Sequence, residues 1–445
     1  MHGVKDLTEG PIGKQLYKLA LPIMGTSFLQ MAYSLMDMAW VGRLGSEAVA
    51  AIGAVGILVW TTSAISYLNK VASEVAVGQS VGTKNIEEAK TYASHNITIS
   101  LAISLVWSIL LFFFARPILG LFKLEPAIWN AAISYLRIVA TAFPFVFMIA
   151  AFTGIYNAVG QSKTPFYITG IGLCLNMVLD PLFVLGFGWG IEGAGIATWL
   201  SEAVVVLIFI YQLKVRGPLM GGFPFFTKLK HDYVVRIFKL GTPVTLFSVL
   251  FSFINLFMAR TASLHGGHIG LMTLTAGSNI ESIAWSTTQG FATALSTFVA
   301  QNYAAKKTER LNRVYRISTA LAVGFGTLMT CVYLFYGTEI FSILVPERAA
   351  YEAGGVYLFI NAFSMIFLLT ELTTQGLFYG TGRTVPPAVI SVSLNLVRIP
   401  LAVLLANNGW GIEGVWWAIS FSSILKGISS FVWFRLIKKK LFNMD

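Results

Sequence analysis

Apolar runs of ~20 residues, long enough to cross a bilayer, recur from one end of this chain to the other. Ile317–Tyr336 contains no charged residue, and Leu101–Ala115 with its neighbours forms a second such run. Only 11% of the 445 residues are charged and 56% are hydrophobic, whereas roughly a quarter of an ordinary soluble domain is charged. The pattern excludes a soluble globular fold and predicts an all-α integral membrane protein.

The chain also repeats itself. LNMVLDPLFV (Leu175–Val184) and the GWGIEGAGIATW that follows (Gly188–Trp199) return as LNLVRIPLAV (Leu394–Val403) and GWGIEGVWWAIS (Gly409–Ser420), about 220 positions later. Pro22 matches Pro243, VGQSVGTKNIEEA (Val77–Ala89) matches VAQNYAAKKTERL (Val299–Leu311), and GQSKTP (Gly160–Pro165) resembles GTGRTVP (Gly380–Pro386). We read twelve membrane spans: 15–41, 47–80, 86–115, 126–158, 164–186, 192–214, 235–262, 268–302, 308–337, 348–380, 385–405 and 412–436. Residues 1–214 form a first lobe of six helices and residues 235–445 a second. Between them, residues 215–234 form a polar linker punctuated by Gly, Pro and Lys. An even number of spans per half inserts both halves in one orientation. The result is two pseudo-symmetric lobes about an axis along the membrane normal, an architecture typical of secondary transporters, with a central cleft expected between them.

The net charge of +11 does not imply nucleic acid. Most Lys and Arg fall in alternate loops, including Lys214–Lys239 and Lys306–Arg316, so they obey the positive-inside rule. Both termini are expected in the cytoplasm of a multi-pass cell (inner or plasma) membrane protein. No cleavable signal peptide is expected, since the N-terminus lacks a short apolar stretch with a small-residue cleavage site. Cys174 and Cys331 lie in apolar helices and the five histidines are scattered, so no disulfide framework or metal site is expected. GWGIEG fits G-x-G-x-x-G twice, but each copy falls in a short turn between membrane spans and not between a strand and a helix. No Walker sequence occurs either, so neither nucleotide nor cofactor is expected. Asn96-Ile97-Thr98 fits a glycosylation acceptor but lies inside an apolar helix.

An ionisable group within a span costs several kcal/mol on insertion scales and is a functional candidate by default. The first half offers Asp37, Asp180 and Glu202, and the second Glu281 and Glu371. Arg137, Arg398, Lys70, Glu74 and Lys426 are the other charges in or near spans. Asn176 and Asp180 lie one turn apart on one helix face. Pro181 donates no hydrogen bond, which frees the carbonyl of Met177 beside them. A carboxylate, an amide oxygen and a free carbonyl suit a proton or a small hard cation. The second copy keeps Asn395 but has Ile399 in place of the acid, so the halves share a fold and divide their chemistry. Pro22 stands roughly 22 Å along its helix from Asp37, so a bend there swings Asp37. Cation binding by Asp37 and Asp180 then cancels their charge and lets the helices repack. Glu202 is expected to pair with a base for structure, and Arg398 is the base expected to partner Glu371.

These stretches resemble the multidrug and toxic compound extrusion (MATE) family. The residues that carry the resemblance are Leu21–Ala51, Asn176–Thr198, Ser278–Lys307, GTGRT and NLVRIP, so it spans nearly the whole chain. Acids in helices one and five make the DinF-like branch the most similar. The resemblance implies the MATE fold, a V-shaped two-lobed monomer that exports drugs, organic cations or amphiphilic metabolites against inward H⁺ or Na⁺ by alternating access. It places the first-lobe cation site at Asp37, Asn176, Asp180 and Thr198, joined by Tyr135, with Pro22 as the helix-bending proline. In the second lobe Glu281 and Glu371 match acids found in many members. Sodium-coupled members carry an acid in helix seven where this chain has Asn255. Phe and Met in the cleft would suit bulky apolar cations. The alternative is a flippase for a lipid-linked oligosaccharide or other lipid of the same superfamily; those proteins tend to have longer chains and an Arg-rich cleft. An enzyme is not expected, because neither H-E-x-x-H nor G-x-S-x-G occurs.

Overall fold

Hydrocarbon offers no water to a backbone amide, so a crossing segment must satisfy its own N–H and C=O groups, and a helix does so. The computed structural model describes residues 3–120, 124, 126–217, 219–345 and 347–442, without the side chains of 34–39, 42, 46, 49, 127 and 344. Among the described residues there is no strand. The first half contains α1 (Ile12–Val41), α2 (Ser46–Gly82), α3 (Ile86–Phe113), the short α4 (Ala115–Gly120), α5 (Pro126–Ala158), α6 (Lys163–Pro181) and α7 (Gly190–Tyr211). The second contains α8 (His231–Ala304), α9 (Thr308–Leu344), α10 (Arg348–Gly380), α11 (Val385–Leu405) and α12 (Gly411–Phe442).

At 74 residues α8 is more than twice the length of one crossing, and Gly267 breaks it with φ 58 and ψ −147. It holds the expected seventh and eighth spans. Nine described segments are long and apolar enough to cross a bilayer, and two of them, His231–Ala304 and Val385–Phe442, can each cross twice. With α1 they supply the twelve crossings.

Beyond Pro181, α6 continues as a wider π turn, Leu182–Gly186, closed by the Phe187 N–H donating to the Leu182 carbonyl at 2.8 Å. In the repeat, α11 carries Pro400 and continues as the π turn Ala406–Trp410. Gly188, Gly190, Gly409 and Gly411 all have positive φ, so the GWGIEG glycines serve the turn between two spans.

Packing divides the chain into two compact units, Met1–Gly10 with Tyr17–Thr245 and Pro11–Leu16 with Leu246–Asp445. Part of the linker is fastened to α3 in the first unit. Ser94 Oγ donates to the Pro224 carbonyl at 2.5 Å, and the Lys230 N–H donates to His95 Nε2 at 3.1 Å.

The repeat is visible in how helices touch. A Cβ at Gly154 on α5 would lie 2.6 Å from the Lys70 carbonyl on α2. At the matching crossing, Gly376 on α10 meets the Ala292 backbone of α8, and a Cβ at Gly380 would lie 2.6 Å from the Ser296 carbonyl. Small residues one turn apart let membrane helices pack backbone to backbone. We expect Gly154→Leu to destabilise the detergent-solubilised protein by about 1–3 kcal/mol, the usual effect of overpacking. Gly324→Ala, where an added Cβ meets nothing within 4 Å, should leave the melting temperature unchanged or raise it.

Candidate functional site

The first-half site is set by helix register. α1 and α6 approach at two points: a Cβ on Gly25 would lie 2.6 Å from Phe166, and one on Gly170 3.5 Å from Leu29. Carried two turns further, that register brings the α1 backbone at residue 37 level with residue 178 on α6. α7 runs back along α6, with Gly193 against the Phe183 backbone and Val205 against Gly172. The same interpolation puts Thr198 level with residue 178. A Cβ on Gly195 would touch the Tyr135 ring of α5 at 3.4 Å, one turn from Thr198. Asn176, Asp180, Thr198 and Tyr135 therefore come to one level of one helix group. Asp37 reaches that level only by extending the α1–α6 register two turns past its last contact, and its side chain lies outside the described residues.

Asn176 and Asp180 are wholly buried, and Asn176 Nδ2 donates to Asp180 Oδ1 at 3.1 Å. Asn176 Oδ1 and Thr198 Oγ1 are buried with no hydrogen-bond partner among the described residues. A buried polar atom without a partner is costly, so each of these oxygens is able to accept from a cation, a proton donor or a water. Pro22 is buried inside α1, which runs through it, and its carbonyl accepts from Thr26 Oγ1 at 3.0 Å. A groove of about 520 Å³, lined in part by Arg137, Glu192 and Trp199, includes none of the site residues.

The second half is built differently. The Tyr357 hydroxyl, which the repeat aligns with Tyr135, donates to Glu281 Oε2 at 3.2 Å. Glu371 is buried: Ser391 Oγ donates to its Oε1 at 2.6 Å, Gln375 Nε2 donates to the same oxygen at 3.2 Å, and Lys426 Nζ stands 3.3 Å from Oε2. Lys426 on α12, not Arg398, is thus the direct partner of Glu371. Arg398 is buried and donates to Ser422 and Ser423 at 2.8 and 3.3 Å, within electrostatic range of Glu281, Glu371 and Tyr357. Asn255 is exposed and outside this network. Asn395, the counterpart of Asn176, is fully buried with neither amide atom partnered among the described residues, because Ile399 stands where its acceptor would be.

Comparison with known proteins decides the family. The MatE family model matches residues 22–182 and 243–404, once in each half and over most of the chain. The chain belongs to the MatE family. It is 25% identical over 420 residues to the probable multidrug resistance protein NorM of Thermotoga maritima, covering 91% of this chain and 88% of that one. It is 26% identical over 429 residues to the probable multidrug resistance protein YoeA of Bacillus subtilis, covering 93% and 92%. The crystal structure of MATE in the bent conformation superposes with a TM-score of 0.94 at 21% identity, covering 100% of this chain and 99% of that one, which shows the fold. MatE proteins are multi-pass membrane transporters, not enzymes.

Within this MatE chain, Lys426, Ser391, Gln375 and Tyr357 are site residues that sequence reading did not assemble. A lysine inside span twelve was a visible signal, and so was the alignment of Tyr357 with Tyr135. Breaking a buried ion pair leaves an uncompensated charge, at about 3–5 kcal/mol, whereas replacing both partners by apolar groups is often neutral. Glu371→Gln should therefore lower stability in a melting assay by that amount, and Glu371→Leu with Lys426→Met should restore most of it.

Proposed function

We propose that this chain is a cation-coupled antiporter. It exports organic cations, drugs or amphiphilic metabolites by alternating access, with H⁺ or Na⁺ exchanged at Asp37, Asn176, Asp180, Thr198 and Tyr135. The observation that carries the reading is the fully buried Asn176–Asp180 pair, whose Asn176 Oδ1 has no hydrogen-bond partner among the described residues, with the unpartnered Thr198 Oγ1 at the same level of the neighbouring helix. Such an oxygen-rich set suits a hard cation or a proton. The names of the NorM and YoeA relatives support drug-like cargo. Acids in α1 and α6 support placement in the DinF-like branch. The distribution of Lys and Arg supports a plasma or inner membrane location with both termini and the 215–234 linker in the cytoplasm. We take the working unit to be a monomer with lobes 1–214 and 235–445.

The reading is tested with purified protein in liposomes loaded with a fluorescent organic cation, under a proton or a sodium gradient imposed separately. One gradient alone should drive dye movement. Asp37→Asn and Asp180→Asn should each reduce uphill transport by roughly tenfold or more, the factor set by 1.4 kcal/mol, while dye binding persists. Wild-type rates in both variants would remove the first-half site from the mechanism. Flipping of a lipid-linked sugar without dye movement would replace export by the lipid reading.

A further inference from the structure

The two halves can be compared position by position at one packing point. In the first half it is made by Gly172 on α6 and Val205 on α7, where a Cβ on Gly172 would run into Val205, and the α5 residue that the repeat aligns with Glu371 is Ile149. By the repeat register the corresponding residues of the second half are Glu371 on α10, Ser391 on α11 and Lys426 on α12. An apolar contact has become an acid, a hydroxyl and a base on three different helices. Each alone would be a buried polar group in need of a partner; together they balance charge, although Glu371 Oε2 meets Lys426 as an ion pair without a hydrogen bond. Ser391 and Gln375 take Glu371 Oε1, and the Lys426 ammonium takes Oε2. The pair is shielded from solvent, with side-chain exposures of 5% and 2%.

A buried carboxylate in a transporter of this type must be neutralised by something, and an exchangeable Na⁺ or H⁺ is one solution. We infer that Lys426 is a tethered counter-cation, its ammonium standing at Glu371 in place of an exchangeable monovalent cation, so that the second half needs no ion of its own. The inference deepens the antiporter reading and rests on it for its meaning, since it leaves the Asp37–Asp180 level as the place of ion exchange. The other charges around Glu371 are consistent with a closed, balanced group. Arg398 from α11 lies within electrostatic range of both acids but donates to Ser422 and Ser423, and Glu281 from α8 accepts from Tyr357. Two acids and two bases share the interior of one unit.

The experiment counts cations bound per chain in detergent, using radioactive sodium and, separately, proton uptake in weak buffer. Lys426→Met should bind one monovalent cation more than its parent. The gain should vanish in Lys426→Met with Glu371→Gln and persist in Lys426→Met with Asp180→Asn. Lys426→Arg, which keeps the charge, should gain none. The melting temperature of Lys426→Met should also rise with sodium concentration or with acidity, according to which cation enters, because an ion that binds only the folded state stabilises it. A folded Lys426→Met that binds no more than its parent would overturn the inference. The gain is scored against the parent, so failure of the first-half site appears separately, as unchanged binding in Asp180→Asn alone.

Wild-type protein supplies an independent test should Lys426→Met not fold. A hydrophobic carbodiimide labels exchangeable membrane carboxyls, and peptide mapping reads Glu371 directly. Labelling of Glu371 should be the same with and without sodium. Sodium-dependent protection of Glu371 in the wild type would show an exchangeable cation already there and overturn the assignment.

Discussion

A polar group in hydrocarbon has no water to fall back on, and the rest of this molecule follows from that constraint. It forces the backbone into helices, since each N–H and C=O must be satisfied within its segment. It also governs what happens where helices stop being regular. Beyond Pro181, α6 widens into a π turn whose 2.8 Å bond from Phe187 N–H to the Leu182 carbonyl recovers an acceptor at the helix end. Beyond Pro400, α11 runs five residues further before its own π turn, Ala406–Trp410, which Asn408 and Gly409 bend out of helical geometry. In the first half the irregular backbone therefore begins directly after the Asn176–Asp180 pair.

The same constraint makes side-chain chemistry conspicuous, and two solutions are present in one chain. In the first half Asn176 donates to Asp180, and two buried oxygens have no partner among the described residues. In the second half two donors, Ser391 and Gln375, converge on Glu371 Oε1, and the Lys426 ammonium stands 3.3 Å from Oε2 as an ion-pair partner. The second arrangement includes a base within ion-pair distance of the acid. A cation entering at Glu371 would have to compete with the Lys426 ammonium, whereas Asp180 accepts from the neutral amide of Asn176, so the same fold presents two different electrostatic settings.

Much of this was legible in the sequence, because the membrane imposes it position by position. Span boundaries follow from where charge is allowed, so α5, α10 and α11 begin and end where hydropathy places them. The joined α8 differs from the expected pair of helices only at Gly267, where one glycine with positive φ makes the turn that a loop was expected to make. Asn176 and Asp180 could be paired from their spacing, since helical periodicity puts residues one turn apart on one face. The ion pair could not be found in this way. Glu371 and Lys426 lie on different helices, and the choice between Lys426 and Arg398 depends on the rotation of α11 and α12 about their axes. Arg398 is adjacent to Ile399 and shares its turn with the orphaned Asn395, yet it points to Ser422 and Ser423.

The repeat could have settled that choice, because it links sequence to packing without needing helix rotation. Val205 packs on Gly172, so whatever replaces them in the second half must also touch; the replacements are Lys426 and Ser391, and Ser391 is bonded to Glu371. Arg398 aligns instead with Leu179, next to Asp180 and one residue out of phase with the face that carries the polar groups of α6. An internal duplication thus supplies contact information of the kind usually sought elsewhere: where one half packs apolar side chains, complementary charges in the other half are partners. By the same reasoning Asn395 is a relic with its acceptor removed, since Ile399 fills the place of Asp180 and keeps the volume of the site without its charge. The second half thus has Ile399 in place of the acid and an ion pair at the level of Ser391, about two helical turns away, so its buried charge is balanced within the protein.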